Sequence, residues 1–387
     1  MKITSVREIS VPLHANIANS VVNFSAHTVS LVAVVSDVVR DGKPVTGVAF
    51  DSIGRFAQTG ILKDRFIPRL HETDPDELIS ENGRHFDASK VLEAILRNEK
   101  PGGHGDRAHA AAALELAIWD LNAKLEQVPA WRCIADHFGV DPRMEMPVYA
   151  AGGYYYPTDS LNRLADEMRH YIDLGYTRFK MKIGGASLQE DMKRIEAALS
   201  VVGEGAYLAV DANGRFDRET ALQYGRAMKN FGLRWYEEPG DPLDYDIMAS
   251  LAEDYPHALA TGENLFSTQD VRNLIRYGAM RRDQDYFQMD PGLSYGLTDF
   301  ARMVDLMETS GYSRRQLQPH GGHMIALHVV MGLNVGGSEA YPGVFAPVGG
   351  YTPGCRVGDG TVSPTDAVGF GLEEKPDLKP HIDELIQ

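Results

Sequence analysis

Between Arg178 and His320, short apolar runs of strand type alternate with amphipathic stretches of helical period. Each apolar run ends in polar residues that a greasy core would reject. Phe179–Ile183 carries Lys180 and Lys182. Tyr207–Asp211 ends in an acid with Asn213 just beyond, Trp235-Tyr236 runs into Glu237-Glu238, and Ala258–Thr261 leads to Glu263. Alternate residues of a strand share a face, so Lys180 and Lys182 point the same way, as do Asp211 and Asn213; neighbours such as Glu237 and Glu238 oppose each other. The interval from Asp211 to Glu237 recurs from Glu237 to Glu263 and holds one strand, one helix and two short loops. That is the repeat of a (β/α) TIM barrel. Helices are predicted at Arg218–Asn230, Tyr245–Tyr255 and Thr268–Gly278. Eight strands are predicted, at Met146–Gly153, Arg178–Ile183, Tyr207–Asp211, Leu233–Glu237, Ala258–Glu263, Tyr286–Asp290, Gln316–His320 and Gly337–Tyr341. A helix at Ile325–Leu333 follows the seventh. The barrel domain is placed at 136–347.

The pattern before it is different. Ile3–Pro12, Val29–Val39 and Val45–Asp51 read as strands, the last two flanking an Asp41–Pro44 turn, and polar His14–His27 reads as a loop. Helical period follows, with a start near Pro75–Ile79, then Ala88–Arg97, then a long Ala-rich helix at Asp106–Leu125 with Asp106 as N-cap. Strands followed by helices without a repeat predict a separate α+β domain over residues 1–135. The tail at about 348–387, rich in Gly and Pro, is expected to pack back over that domain with a late strand or two.

Length and composition agree: 387 residues leave room for a barrel of about 250 plus a second module, and 43% hydrophobic residues are ordinary for a globular protein. A net charge of −16 argues against nucleic acid or an anionic membrane as partner, so an anionic substrate must be caught by local positive charge. Cys133 and Cys355 are too few and too far apart for a disulfide framework or zinc site; free thiols in a reducing compartment are expected. The first residues have no apolar signal core and Val29–Val39 is too short to span a bilayer, so the expected location is cytoplasmic.

Carboxylates at successive strand ends converge at a barrel mouth. Asp211, Glu237 and Glu263 would supply an oxygen-only ligand set, which suits one Mg²⁺ per subunit. A lone Lys-x-Lys is commonly a solvated edge and a lone Glu-Glu-Pro a loop, but these endings occur together, in order and in phase.

Taken with Asp290 and His320, these residues resemble the enolase superfamily in its mandelate racemase branch, and Ala117–Leu121 with Lys124 resembles that family's domain-junction helix. The resemblance runs from Ile3 to about Gly371. It implies a capping α+β domain over a modified (β/α) barrel, with proton abstraction beside a carboxylate; a Lys or His base with Mg²⁺ is general in that superfamily. It selects Glu237 over Glu238 as ligand. It implies homo-oligomers, dimer to octamer.

Lys182 is the expected general base. An ordinary lysine value of about 10.4 leaves little free amine, so Lys180 and the nearby cation are expected to lower it. Lys180 would hold a substrate carboxylate oxygen and Asn213 would position ligand or substrate. His320, oriented by Asp290, would be the acid opposite Lys182. The resemblance also implies that Glu339, at the end of the eighth strand, donates a hydrogen bond to the substrate carboxylate, which requires it to be protonated. His323 reads as a core or surface histidine.

The same parts serve a dehydratase or a racemase. Loops over the mouth read the far end of the substrate: Lys100 on the Asn98–Gly105 run, Arg55 and Asn19 on two others, and Tyr154 in the Gly152–Pro157 run. Asn98–Gly105, Gly152–Pro157 and Leu317–His323 together resemble the family's D-tartrate dehydratases. They imply a short dihydroxy diacid held by Lys180 and the metal at one end and by Lys100 or Arg55 at the other, with oxaloacetate as product. The alternatives are a dehydratase of a longer aldonate or aldarate, a racemase or epimerase of a small hydroxy acid, and a non-catalytic carboxylate binder.

Overall fold

The computed structural model describes residues 1–156 and 158–387; Pro157, which closes the Gly152–Pro157 run, lies outside them. The chain opens with three antiparallel strands, β1 (Ile3–Pro12), β2 (Thr28–Arg40) and β3 (Lys43–Phe50), with β2 in the middle. Asp41 and Gly42, both with positive φ, make the tight turn between β2 and β3. Leu31 of β2 sits opposite Ile9 on one side and Phe50 on the other.

The helix Asp106–Glu126 lies across this sheet and is buried on nearly every face, which accounts for its run of alanines. Gly47 lets it approach: a methyl there would drive into the carbonyl of Ala117. Its N-cap is Gly105, with φ of 56°, rather than the expected Asp106, which is the first helical residue. Two acids on the helix tie the fold together. Asp120 accepts from Val48 N at 2.7 Å and from Phe370 N at 2.6 Å, joining β3 to the tail. Glu115 reaches the opposite way and accepts from Leu297 N and Thr298 N, each at 2.9 Å, at the start of the helix Leu297–Thr309.

The second domain is a (β/α) barrel. Its parallel strands β4 (Met146–Ala151), β5 (Phe179–Lys182), β6 (Leu208–Asp211), β7 (Tyr236–Glu237), β8 (Leu259–Thr261) and β9 (Tyr286–Phe287) pair in sequence order, and β10 (Ser338–Ala340) returns beside β4. Of the predicted strand Gln316–His320, Gln316 instead ends a 3-10 turn (Arg314–Gln316), and the residues after it form a single bridge, Leu317 to Phe287. Pro319 has no N–H for a ladder, yet Gln318 N and His320 N still donate to Phe287 O (2.8 Å) and Gln288 O (3.2 Å) and close the ring. The predicted helices all form, at Arg218–Met228, Tyr245–Asp254, Thr268–Tyr277 and Met324–Gly332. The tail adds a hairpin, β11 (Arg356–Gly358) and β12 (Thr361–Ser363), whose second strand runs antiparallel to β4. The last helix, Lys379–Ile386, meets β1, where Arg7 donates to Leu385 O at 3.1 Å. Cys133 is buried and Cys355 half-buried, and both are free thiols. Among the described residues no helix is long and apolar enough to cross a membrane.

Candidate active site

The barrel register sets the floor of the site. Lys182 of β5 sits opposite Asp211 of β6, and Asp211 opposite Glu237 of β7, so three charged side chains share one rung at the strands' C-terminal ends. Glu263 follows two residues after β8. One carboxylate oxygen from each of Asp211, Glu237 and Glu263 comes within 4.8 Å of the others. Two observations show that this cluster fits a divalent cation. Burial and the Asp211 charge push Glu237 up to about 8, and the buried Oδ1 of Asn213, beside Asp211, has no hydrogen-bond partner. An ion held by oxygens alone, as Mg²⁺ prefers, would relieve the crowding of like charge.

The lysines depart from expectation. Lys180 is fully buried and paired with protein carboxylates: its Nζ donates to Glu237 Oε1 at 2.6 Å and lies 2.7 Å from Glu339 Oε1 and 3.6 Å from Asp211 Oδ2. It therefore does not reach the cavity, and the substrate-holding role expected of it is not what this geometry displays. Lys182 Nζ donates to Asp211 Oδ2 at 2.5 Å. Burial and Lys180 do lower its pKa, but Asp211 outweighs both and the net shift is upward, opposite to the expected direction. Glu339 is likewise corrected. Although burial opposes ionisation, Lys180 and His320 hold its carboxyl below the usual range, so it is ionised rather than a protonated donor. It accepts from Gly321 N at 3.2 Å.

His320 and Asp290 meet as predicted, Nδ1 to Oδ2 at 2.8 Å. Burial pulls the imidazole pKa down, but Glu263 and the bond to Asp290 raise it to about 9, so the ring is cationic at neutral pH. Its Nε2 bonds Tyr341 Oη at 2.8 Å. Tyr341 went unrecognised in the sequence, although it stands two residues after Glu339 and so in phase with it. Ser52 was missed too, and nothing local marks it. Its Oγ donates to Asp290 Oδ2 at 2.6 Å and contacts His323 Nε2 at 3.0 Å. His323 is fully buried, and its Nδ1 caps the following helix by accepting from Ala326 N at 3.2 Å.

Above this floor lies a cavity of about 350 Å³, lined by Lys182, Asn213, Glu263, His320, Tyr154 and Tyr341 from the barrel and by Asn19, Phe24, Ile53 and Arg55 from the N-terminal domain. Lys182 Nζ stands 5.6 Å from the Tyr154 ring centroid. Asn19 Oδ1 accepts from Val21 N (2.8 Å) and Val22 N (2.7 Å), which shapes its loop against the mouth. Arg55 donates to Asn264 Oδ1 and lies 5.3 Å from the Phe266 ring centroid. Lys100 does not line the cavity; it is exposed, and its backbone carbonyl accepts from Arg107 at 2.8 Å. Glu238 is a further correction. Strand alternation should turn it away, but β7 ends at Glu237 and Glu238 has φ of 40°, so both glutamates face inward. Glu238 lines the cavity and accepts from Asn264 Nδ2 at 2.7 and 2.9 Å.

Comparison with known proteins agrees with this architecture. Residues 163–378 match the family described as enolase C-terminal domain-like. The arabinonate dehydratase of Saccharolobus solfataricus is 30% identical over 250 residues, 63% of this chain and 63% of that protein. The L-talarate/galactarate dehydratase of Salmonella typhimurium is 29% identical over 313 residues, 80% of this chain and 71% of the relative. The crystal structure of the Salmonella enzyme liganded with Mg and L-lyxarohydroxamate superposes with a TM-score of 0.75 at 24% identity, over 95% of this chain and 88% of that one. The matched stretch thus spans less than two thirds of the arabinonate dehydratase. With a (β/α) barrel, an acidic triad at its mouth and this family match, the chain belongs to the enolase superfamily, in its mandelate racemase and muconate lactonizing branch.

Proposed function

We propose that the protein is a Mg²⁺-dependent dehydratase of small acid sugars, and that its substrate is the short dihydroxy diacid D-tartrate, converted to oxaloacetate and water. One observation carries the reading: Lys182 and His320 open onto the same small cavity directly above the acidic triad. The relatives named as dehydratases favour water loss over racemisation. Arg55 on the cavity wall favours a second carboxylate at the far end of a short substrate.

Asp211, Glu237 and Glu263 would hold the Mg²⁺, which when bound supplies positive charge for the enediolate that proton loss creates. With Asp211 committed as a ligand, the Lys182 ammonium loses its counter-charge, and burial and Lys180 then both favour the neutral amine. Lys182 takes the α-proton, and the electron pair of that C–H bond becomes the new C=C bond. The β-carbon–oxygen bond breaks, and His320 gives its Nε2 proton to the departing hydroxyl, which leaves as water. The enol left behind tautomerises to the 2-keto acid. Asn213 and Asn19 would orient the substrate, and Tyr154 would pack against the amine of the base.

The test is a screen of the purified protein with Mg²⁺ against mono- and diacid sugars, scoring 2-keto acid. D-tartrate should turn over, and chelation should abolish the activity. If D-tartrate is untouched while a six-carbon acid reacts, the substrate is a longer aldarate or aldonate, as the names of both relatives would favour. If no acid yields a keto acid, dehydration is wrong.

A further inference from the structure

Asp290 is held by more than His320, and one of its partners comes from the other domain. Ser52 follows β3, and the contact from its Oγ to Asp290 Oδ2, at 2.6 Å, joins the N-terminal domain to the barrel's acid. Packing fixes this approach. Ser52 N donates to Gly292 O at 3.2 Å, and a methyl at Gly292 would come within 2.8 Å of Ser52 Cβ. On the far side of the hydroxyl lies His323 Nε2, at 3.0 Å.

The direction of every proton in this chain follows from its far end. His323 Nδ1 accepts the Ala326 N–H, so it carries no hydrogen. A neutral His323 must then have its hydrogen on Nε2, and burial keeps it neutral by lowering its pKa to about 4. The Phe50 ring, edge-on with centroids 4.9 Å apart, holds the imidazole in place. Nε2–H donates to Ser52 Oγ, which leaves the hydroxyl hydrogen to go to Asp290 Oδ2. That oxygen also receives His320 Nδ1 at 2.8 Å, while Oδ1 receives Gly292 N at 2.7 Å. Asp290 is surrounded by donors alone. It can only accept, so His320 must keep its hydrogen on Nδ1 and deliver the proton on Nε2 to the cavity.

We propose that Ser52 and His323 are positioning residues for His320, so that the tautomer and aim of the general acid are set by the docking of the N-terminal domain on the barrel. This rests on the reading of His320 as the acid of a dehydration. It predicts a split between two half-reactions. Proton removal by Lys182 does not need the chain, whereas expulsion of the hydroxyl does.

The experiment uses the full-length, Mg²⁺-loaded protein and the acid that the screen turns over, D-tartrate on our reading. Exchange of the α-hydrogen with solvent deuterium and formation of keto acid are measured side by side for Ser52→Ala, His323→Asn and His320→Asn, with a thermal melt for each. Ser52→Ala should lower kcat for keto acid by roughly 10- to 100-fold, the loss expected when a hydrogen bond to a carboxylate is removed. KM and α-exchange should stay near wild type. His323→Asn keeps an oxygen to cap the helix and should show a smaller loss in the same direction, which preserves the test if Ser52→Ala folds poorly. Parallel loss of exchange and elimination in both variants would mean a structural role only and would overturn the proposal. So would unchanged elimination in both while His320→Asn is inactive. If His320→Asn still eliminates water, the acid assignment itself fails, and this inference with it.

Discussion

Tyr341 and Arg55 add to the charged cluster what it lacks: a neutral group that holds the acid's reactive nitrogen, and a cavity-wall cation supplied by the N-terminal domain. The Tyr341 hydroxyl is the group bonded to His320 Nε2, at 2.8 Å, on the cavity side of the ring. Tyr341→Phe leaves that nitrogen without its partner. Losing one such bond is worth about 1 kcal/mol, so keto acid formation should slow by roughly fivefold while α-exchange persists; steady-state rates beside solvent-exchange rates check this. Arg55→Ala should raise KM for a diacid by roughly tenfold or more, consistent with about 1.5–3 kcal/mol for a charge-assisted hydrogen bond, and leave KM for a monoacid unchanged. An equal rise for both acids would place Arg55 outside the recognition of the second carboxylate. At this scale the sequence revealed identities better than environments. Strand ends and spacing pick out Lys182, Asp211, Glu263 and the Glu237-Glu238 pair, whereas the choice of Glu237 over Glu238 and the pairing of Asp290 with His320 come with the family resemblance. The pairing of Lys180 with Glu237 and Glu339 was not, because it depends on which charges the barrel brings together across its interior.

Elements hold the site through contacts that no local pattern announces. The helix Leu297–Thr309 has Gly296 at its N-cap and no side-chain cap of its own. Glu115 replaces it from the junction helix, accepting from Leu297 N, Thr298 N and Trp119 Nε1 at 2.9 Å each and from Thr298 Oγ1 at 2.5 Å. Glu115→Ala would leave buried donors unpaired and should destabilise the fold by about 3 kcal/mol, read as a lower denaturation midpoint at unchanged slope. A loss within about 0.5 kcal/mol, typical of exposed surface sites, would show that the helix end finds other partners. The barrel itself was legible because its strand–helix interval repeats. What escaped were departures from ideal strands. Pro319 has no N–H to give a ladder, although its carbonyl accepts from Glu339 N at 3.2 Å, and the positive φ at Glu238 ends the alternation that should have turned that residue outward. The Ser52 contact to Asp290 spans most of the chain, and only folding brings it about.

For the molecule as a whole, domain docking buries histidines that must stay neutral. His109, on the junction helix, packs edge-on against Phe266 of the barrel with both ring nitrogens unpartnered. Burial, and then the Arg55 charge, lower its pKa to about 3 from an ordinary 6.5. His328, also buried, is lowered to about 3. An unfolded chain takes up these protons near pH 6.5 and the folded one does not until about pH 3, so their contribution to stability is complete above 6.5 and is lost as pH falls toward 3. Chemical denaturation of His109→Phe at a series of pH values should show a shallower loss of stability between pH 6.5 and 4, by the equivalent of one proton; an unchanged slope would mean that His109 titrates normally in the folded protein. The central claim, however, is that the acidic triad and Lys182 together make a carbon acid labile. It is tested most directly by mass spectrometry of the α-hydrogen of the bound acid in D₂O with Mg²⁺, comparing the native protein with Lys182→Ala. The account predicts exchange in the native protein and none in the variant; exchange at the native rate in Lys182→Ala would contradict it.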